Sequence, residues 1–108
     1  MQKITVCELG EWQAAGRAFT LIDVRREQVR RDDGAEIPGS RWKRPEELLS
    51  WKDSVPRDRP VVFVCAHGHE LSQGAAATLH AMGLHALYLV DGFAGWRAAG
   101  RPVQPPSG

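Results

Sequence analysis

Four consecutive apolar residues, Val61 to Val64, run from Pro60 into Cys65 and a turn-rich stretch, and a small-residue helical pattern begins near Ser72. A β-branched run bounded by Pro60 and Gly68 reads as a strand buried on both faces, an environment that a parallel sheet covered by helices provides. Such sheets bind ligands at the carboxyl ends of their strands, where the next helix aims its N-terminal amides. Cys65 stands at that position, so a thiol is delivered to where a nucleophile is wanted.

With 108 residues and 43% hydrophobic content, the chain can build one compact domain around a single core. Fourteen basic and 13 acidic side chains leave a formal charge of +1, which gives no basis for a nucleic-acid partner. Arg25, Arg26, Arg30, Arg31, Arg41, Lys43 and Arg44 are interrupted by Glu27, Asp32, Asp33 and Glu36, and the mixture reads as a solvated face. The opening MQKITVCELGEW carries no apolar run of signal-peptide length, and no later segment approaches membrane-spanning length. A soluble, cytoplasmic protein with no membrane partner is expected. Two cysteines cannot make a disulfide framework, so both are expected to stay reduced. Cys7 reads as a small buried apolar side chain rather than a resolving thiol.

Ile4 to Val6 suggests a short edge strand, and Glu8 to Ala15 a helix with Leu9 and Trp12 on one face, stopped by Gly16. Phe19 to Val24 is a second β-branched strand ending at Asp23 and Arg25. For Asp23, bracing the neighbouring guanidinium and simple turn capping stand as equal readings. Arg26 to Arg31 is polar enough for an exposed helical turn; Asp33-Gly34 and Pro38-Gly39 mark turns. Arg41 to Lys43 is extended, and Pro45 opens a helix whose buried side would carry Leu48, Leu49 and Trp51. Ala75, Leu79 and Met82 recur at helical spacing, with Ala75 to Ala77 allowing close approach to the sheet and Gly83 as the stop. Ala86 to Val90 is a further strand, Asp91-Gly92 a turn, and Phe93 to Ala99 a last helix carrying Trp96. Alternating strands and helices without repeat or linker imply a doubly wound α/β sandwich.

The landmarks LIDVR (Leu21 to Arg25), IPGS (Ile37 to Ser40), VVFVCAHG (Val61 to Gly68), SQGAAATL (Ser72 to Leu79) and YLVDGFAGWRAAGRPV (Tyr88 to Val103) occur in one order over nearly the whole chain. In that order and spacing the chain resembles a single-domain rhodanese. The resemblance implies a three-layer sandwich with a parallel five-stranded sheet over residues 1–103. The proline-rich end makes 104–108 a frayed tail, and a monomer without cofactor or metal is expected. The resemblance also implies sulfurtransferase chemistry. Sulfane sulfur would pass from thiosulfate or a persulfide donor to a Cys65 persulfide, and then to cyanide or a protein or small-molecule thiol. By the same resemblance Cys65 is the nucleophile, and the loop Ala66, His67, Gly68, His69, Glu70, Leu71 and Ser72 is an amide cradle. Asp23 and Arg25 give structural support. Glu36 stands where many members have histidine, and receives no catalytic role.

A thiol attacks sulfur as thiolate, and an ordinary cysteine with a pKa of about 8.5 is only a few per cent ionised near neutrality. Converging backbone N–H groups and a helix N-terminus would stabilise the anion and the persulfide after it. Two departures stand out. Glu70 occupies the position where common rhodaneses have Arg or Ser, and the loop is one residue longer than usual. That length resembles the related cell-cycle phosphatases, but their loop arginine would fall at Leu71, which removes the main support for phosphoryl or arsenate chemistry. The departures also make a non-catalytic module that binds a partner or senses anions a second reading. A Glu70 carboxylate aimed at the thiolate from about 7 Å would cost roughly 2 kcal/mol at an effective dielectric near 20. It is therefore expected to point outward or to be neutralised by His67, His69 or an arginine. His67 and His69 stay open between anion contact, proton carriage and plain surface polarity. A metal is not expected, because an anion loop turns amides rather than lone pairs inward. His80 and His85 read as ordinary polar positions.

Overall fold

The computed structural model describes residues 2–107. Five strands, β1 (Gln2–Ile4), β2 (Thr20–Asp23), β3 (Arg41–Trp42), β4 (Val61–Val64) and β5 (Ala86–Leu89), form one sheet in the order β1-β5-β4-β2-β3. Every pairing is parallel. Five helices alternate with them: α1 (Val6–Ala14), α2 (Glu27–Asp33), α3 (Leu48–Trp51), α4 (Glu70–Ala81) and α5 (Gly92–Ala98). Two 3₁₀ turns, Pro45–Glu47 and Lys52–Ser54, flank α3.

The apolar run at the centre explains the layering. All four residues of β4 are buried, and the period of two along a strand sends them alternately to opposite faces. Val61, Phe63 and Cys65 pack with Ile22, Trp51, Ala75, Ala76 and Leu79 beneath α3 and α4. Val62 and Val64 pack with Leu9, Leu21, Leu87, Phe93 and Trp96 beneath α1 and α5. The doubly wound sandwich expected from the sequence is the fold observed.

Several local expectations are corrected. Thr5 and Val6 do not continue the first strand, because the Thr5 hydroxyl accepts from the Glu8 amide at 3.1 Å and the Glu8 carboxylate accepts from the Thr5 amide at 3.0 Å. This capping box starts α1 two residues earlier than apolar periodicity implies. Cys7 is exposed, not buried, since it falls on the first turn of that helix and away from Leu9; its thiol meets the Glu11 carboxylate. Leu49 is 77% exposed because α3 is a single turn that buries Trp51 and half-buries Leu48. Ala77 also faces outward, leaving Ala75 and Ala76 to make the close approach of α4 to the sheet.

The basic cluster is not wholly a solvated face, because Arg25 and Arg30 are buried. Arg30 donates to the Glu36 carboxylate at 3.2 Å and to the Ser107 carbonyl at 2.8 Å. Glu36 also accepts from the Gln104 side chain at 3.0 Å and from the Ser107 amide and hydroxyl at 3.1 and 3.0 Å. Residues 104–107, expected to fray, are thus held by a buried carboxylate, with Glu36 and Gln104 also paired through their backbones. Burial disfavours the Glu36 charge, yet these donors outweigh it and hold its carboxyl below the ordinary range.

Candidate active site

The register of β2 against β4 pairs Asp23 with Val64, so the chain leaves both strands at the same edge, and Asp23, Arg25 and Cys65 emerge together. Val24 continues the pairing by donating to the Val64 carbonyl at 2.7 Å. The acid and the base that follow it are spent on each other. The Arg25 guanidinium donates to Asp23 at 2.6 and 3.0 Å, to Asp33 at 2.9 Å and to the Ala35 carbonyl at 2.9 Å. It also lies 4.1 Å over the Phe93 ring. Burial works against its charge, but Asp23 and Asp33 outweigh this and raise its pKa. Both readings of Asp23 hold, since its Oδ1 also accepts from the Arg25 backbone amide at 3.0 Å while the carboxylate braces the guanidinium, and Arg25 has no free fork to offer a ligand.

Cys65 is 5% exposed and forms part of the wall of a cavity of about 350 Å³, shared with Arg26, His67, Glu70 and Leu71. Its Sγ lies 3.1 Å from the Ser72 hydroxyl, which is buried. The segment 66–72 divides differently from expectation. Only Ala66 to His69 is loop; Glu70, Leu71 and Ser72 are the first turn of α4, because nothing in Glu-Leu-Ser opposes helix and the small residues beyond pack on the sheet.

The carbonyls of Cys65, Ala66, Gly68 and His69 are occupied, and the loop's amides are not. Phe93 and Ala94, at the start of α5, donate their amides to the Cys65 and Ala66 carbonyls at 2.8 and 2.9 Å. Gln73 donates its side-chain amide to the Gly68 carbonyl at 2.9 Å and its backbone amide to the His69 carbonyl at 3.0 Å. None of the backbone amides from Ala66 to Ser72 donates to a protein acceptor among the described residues. A segment with most of its acceptors satisfied and its donors open is a place for an anion.

Two glycines make this arrangement possible. Gly68 has φ +76, and a Cβ there would meet the Leu89 carbonyl oxygen at 2.7 Å and the Asp91 nitrogen at 2.8 Å. Gly92 has φ +58, and a Cβ there would lie 2.6 Å from the Gly68 nitrogen. The Cys65 loop and the turn after β5 are therefore in backbone contact. That second turn was visible in the sequence as Asp91-Gly92, but only folding shows that it lies under the loop of Cys65.

Glu70 is exposed, forms no ion pair among the described residues and lines the cavity of Cys65, so the expected neutralisation by His67, His69 or an arginine does not occur. It sits in the first turn of α4, where the helix dipole favours a carboxylate. His67 and His69 are exposed with ring centres 6.4 Å apart, and no group of three potential metal ligands occurs among the described residues. Leu71, at the position of the phosphatase arginine, packs against the core. No helix among the described residues is long and apolar enough to cross a membrane.

Comparison with known proteins bears on the same architecture. The thiosulfate sulfurtransferase GlpE of Pseudomonas savastanoi pv. phaseolicola is 38% identical over 79 residues, 72% of either chain. Two further relatives of that name are matched over only 60% and 61% of their own length. Among solved structures, a Rhodopseudomonas palustris protein of unknown function, titled a possible tyrosine phosphatase, superposes with a TM-score of 0.84 at 30% identity, covering 96% of this chain and 85% of that one. A rhodanese-related protein from Thermoplasma volcanium gives 0.83 at 27% identity, covering 96% and 98%. The family model described as a rhodanese-like domain matches residues 5–99, the span that holds every strand from β2 to β5 and the Cys65 loop, and the chain belongs to that family.

Proposed function

We propose that this chain is a sulfurtransferase that carries sulfane sulfur on Cys65. The Cys65 thiolate attacks the outer sulfur of thiosulfate or of a persulfide; the donor's S–S bond breaks, and sulfite or a thiolate leaves with the bonding pair. A thiophilic acceptor, cyanide or a thiol, then attacks the terminal sulfur, and the Cys65 thiolate departs. No cofactor is needed, and a reducing cytoplasm would keep the thiol ready. The observation that supports this reading is the open row of amides in the segment Ala66 to Ser72 that follows Cys65, with the Ser72 hydroxyl 3.1 Å from the Sγ. Those groups fit an anionic sulfur before and after transfer. The sulfurtransferase names of the relatives support the same direction.

The test is incubation with sulfur donors followed by intact-protein mass measurement. One added sulfur atom, removed by cyanide and absent from Cys65→Ser, is the expected result. If no donor adds sulfur, a non-catalytic partner-binding or anion-sensing module takes its place. A phosphatase reading draws on the longer loop and on the Rhodopseudomonas protein's title, but Leu71 supplies no guanidinium for a phosphoryl group. It would require aryl phosphate turnover that Cys65→Ser abolishes.

A further inference from the structure

Strand β3 is only two residues long and leaves the first half of β2 uncovered on its outer side. The parallel register begins with Ile22 opposite Arg41, so a continued ladder would set Gly39 and Ser40 beside Thr20 and Leu21. The chain is diverted instead. The Ser40 amide closes a turn onto the Ile37 carbonyl at 3.1 Å, Gly39 has φ +86, and the Gln13 side chain holds the Pro38 carbonyl at 3.1 Å. Along β2 the Thr20 amide points inward, to the Pro60 carbonyl at 2.9 Å, so the alternation of the strand turns the Phe19 and Leu21 amides outward. Among the described residues neither finds an acceptor. Open main-chain groups on a sheet edge are a template for one more strand.

Two cavities flank this edge, and Phe19, Leu21 and Gly39 belong to both. On the side of α3, a cavity of about 350 Å³ brings Arg41, Lys43 and Arg59 together over Val55 and Pro56. On the side of α1, a cavity of about 510 Å³ sets Arg17 beside Gln13 and Pro38. No acidic side chain among the described residues lines either cavity, although the chain holds 13 acids to 14 bases. Arg59 also meets Asp58 at 3.1 Å, so Arg41 and Lys43 supply most of the positive field. The period of a strand is two, so an extended segment laid on this edge would send alternate side chains into the two cavities. A second copy of this chain, pairing edge to edge, would bring the same cations and be repelled. A segment with acidic side chains is complementary.

We propose that the outer edge of β2 is a docking site for an extended acidic segment of a partner protein. The segment adds as a strand through main-chain pairing with Phe19 and Leu21, and its acidic side chains meet Arg41 and Lys43. The site lies at the opposite end of β2 from Asp23, which pairs with Val64 beside the Cys65 loop. Neither flanking cavity shares a residue with the cavity of Cys65, so docking and the chemistry of the thiol use separate surfaces.

The probe is a short fluorescein-labelled peptide that alternates Glu and Val, titrated by anisotropy against the full chain, with amide hydrogen exchange followed by NMR. It is compared with a Gln-Val peptide, with two Glu-Val forms N-methylated along one edge or the other, and with a single-stranded oligonucleotide. The Glu-Val peptide should bind and slow exchange at Leu21. N-methylation should abolish binding on one edge of the peptide and spare it on the other, because only one edge faces β2. Arg41→Ala and Lys43→Ala should each weaken binding roughly three- to fivefold, the range of an exposed charge contact. Joint Arg41→Glu and Lys43→Glu substitution should shift the preference to a Lys-Val peptide, and sulfur loading on Cys65 should be unchanged in all these variants. The same effect from both N-methylated forms, or unaltered exchange at Leu21, would overturn strand addition. Tighter binding of the oligonucleotide, or equal binding of the Gln-Val peptide, would overturn the partner class. Absence of binding by the Glu-Val peptide at about 1 mM would overturn the docking site altogether.

Discussion

The Sγ of Cys65 and the Oγ of Ser72 lie 3.1 Å apart, with the serine on the first turn of α4 and fully buried. A hydroxyl held there can donate to a sulfur anion without first leaving water, and a hydrogen bond to a charged group is worth about 1.5–3 kcal/mol. Ser72→Ala should slow alkylation of Cys65 by iodoacetamide at neutral pH by about tenfold. Its effect on the unfolding midpoint should be small by comparison. Unchanged alkylation would remove Ser72 from the anion site.

Alanine at three glycines should act with opposite signs. At Gly68 and Gly92 it meets backbone atoms under 3 Å away and a positive φ, so each substitution should cost more than about 2 kcal/mol in urea unfolding. Gly74 lies inside α4 with open space around it, and Gly74→Ala should stabilise by about 0.5–1 kcal/mol. Equal effects at all three would show that the contact between the Cys65 loop and the turn after β5 is not tight.

Arg25→Met should destabilise by about 3–5 kcal/mol, because it leaves the buried Asp23 carboxylate uncompensated. Adding Asp23→Asn should recover part of that loss by removing the stranded charge. Chemical denaturation of the two variants tests this; a double variant no better than the single one would mean that the network's geometry, not its charge balance, holds the edge.

Glu36 predicts a pH dependence. Its folded pKa lies below the unfolded value of about 4.3, so its contribution is fully present above that value and is lost as the pH falls through the depressed folded pKa. The wild type should therefore lose more thermal stability than Glu36→Gln on acidification below about pH 4.3. Over the same range, residues 104–107 should become open to proteolysis. Parallel melting curves for the two proteins would contradict the assignment.

Much of this protein was legible before folding. A β-branched run ending in Cys65, a turn, and an alanine-rich helix establish the strand, the position of Cys65 and the close approach of α4, because periodicity and propensity are local properties. The same holds for β2, β5 and the glycine stops, and family landmarks in order supplied the topology. Local pattern was less reliable where one side chain decides: a single capping hydroxyl at Thr5 moved a helix boundary and exposed Cys7. What only the tertiary structure decided is which polar groups meet. Arg25 is spent on Asp23 and Asp33; Glu36 holds Ser107; and α5 takes the carbonyls of the Cys65 loop so that its amides stay free. Each of these satisfies a polar group of a buried residue, and composition states how many donors and acceptors exist while only the folded chain determines which of them meet.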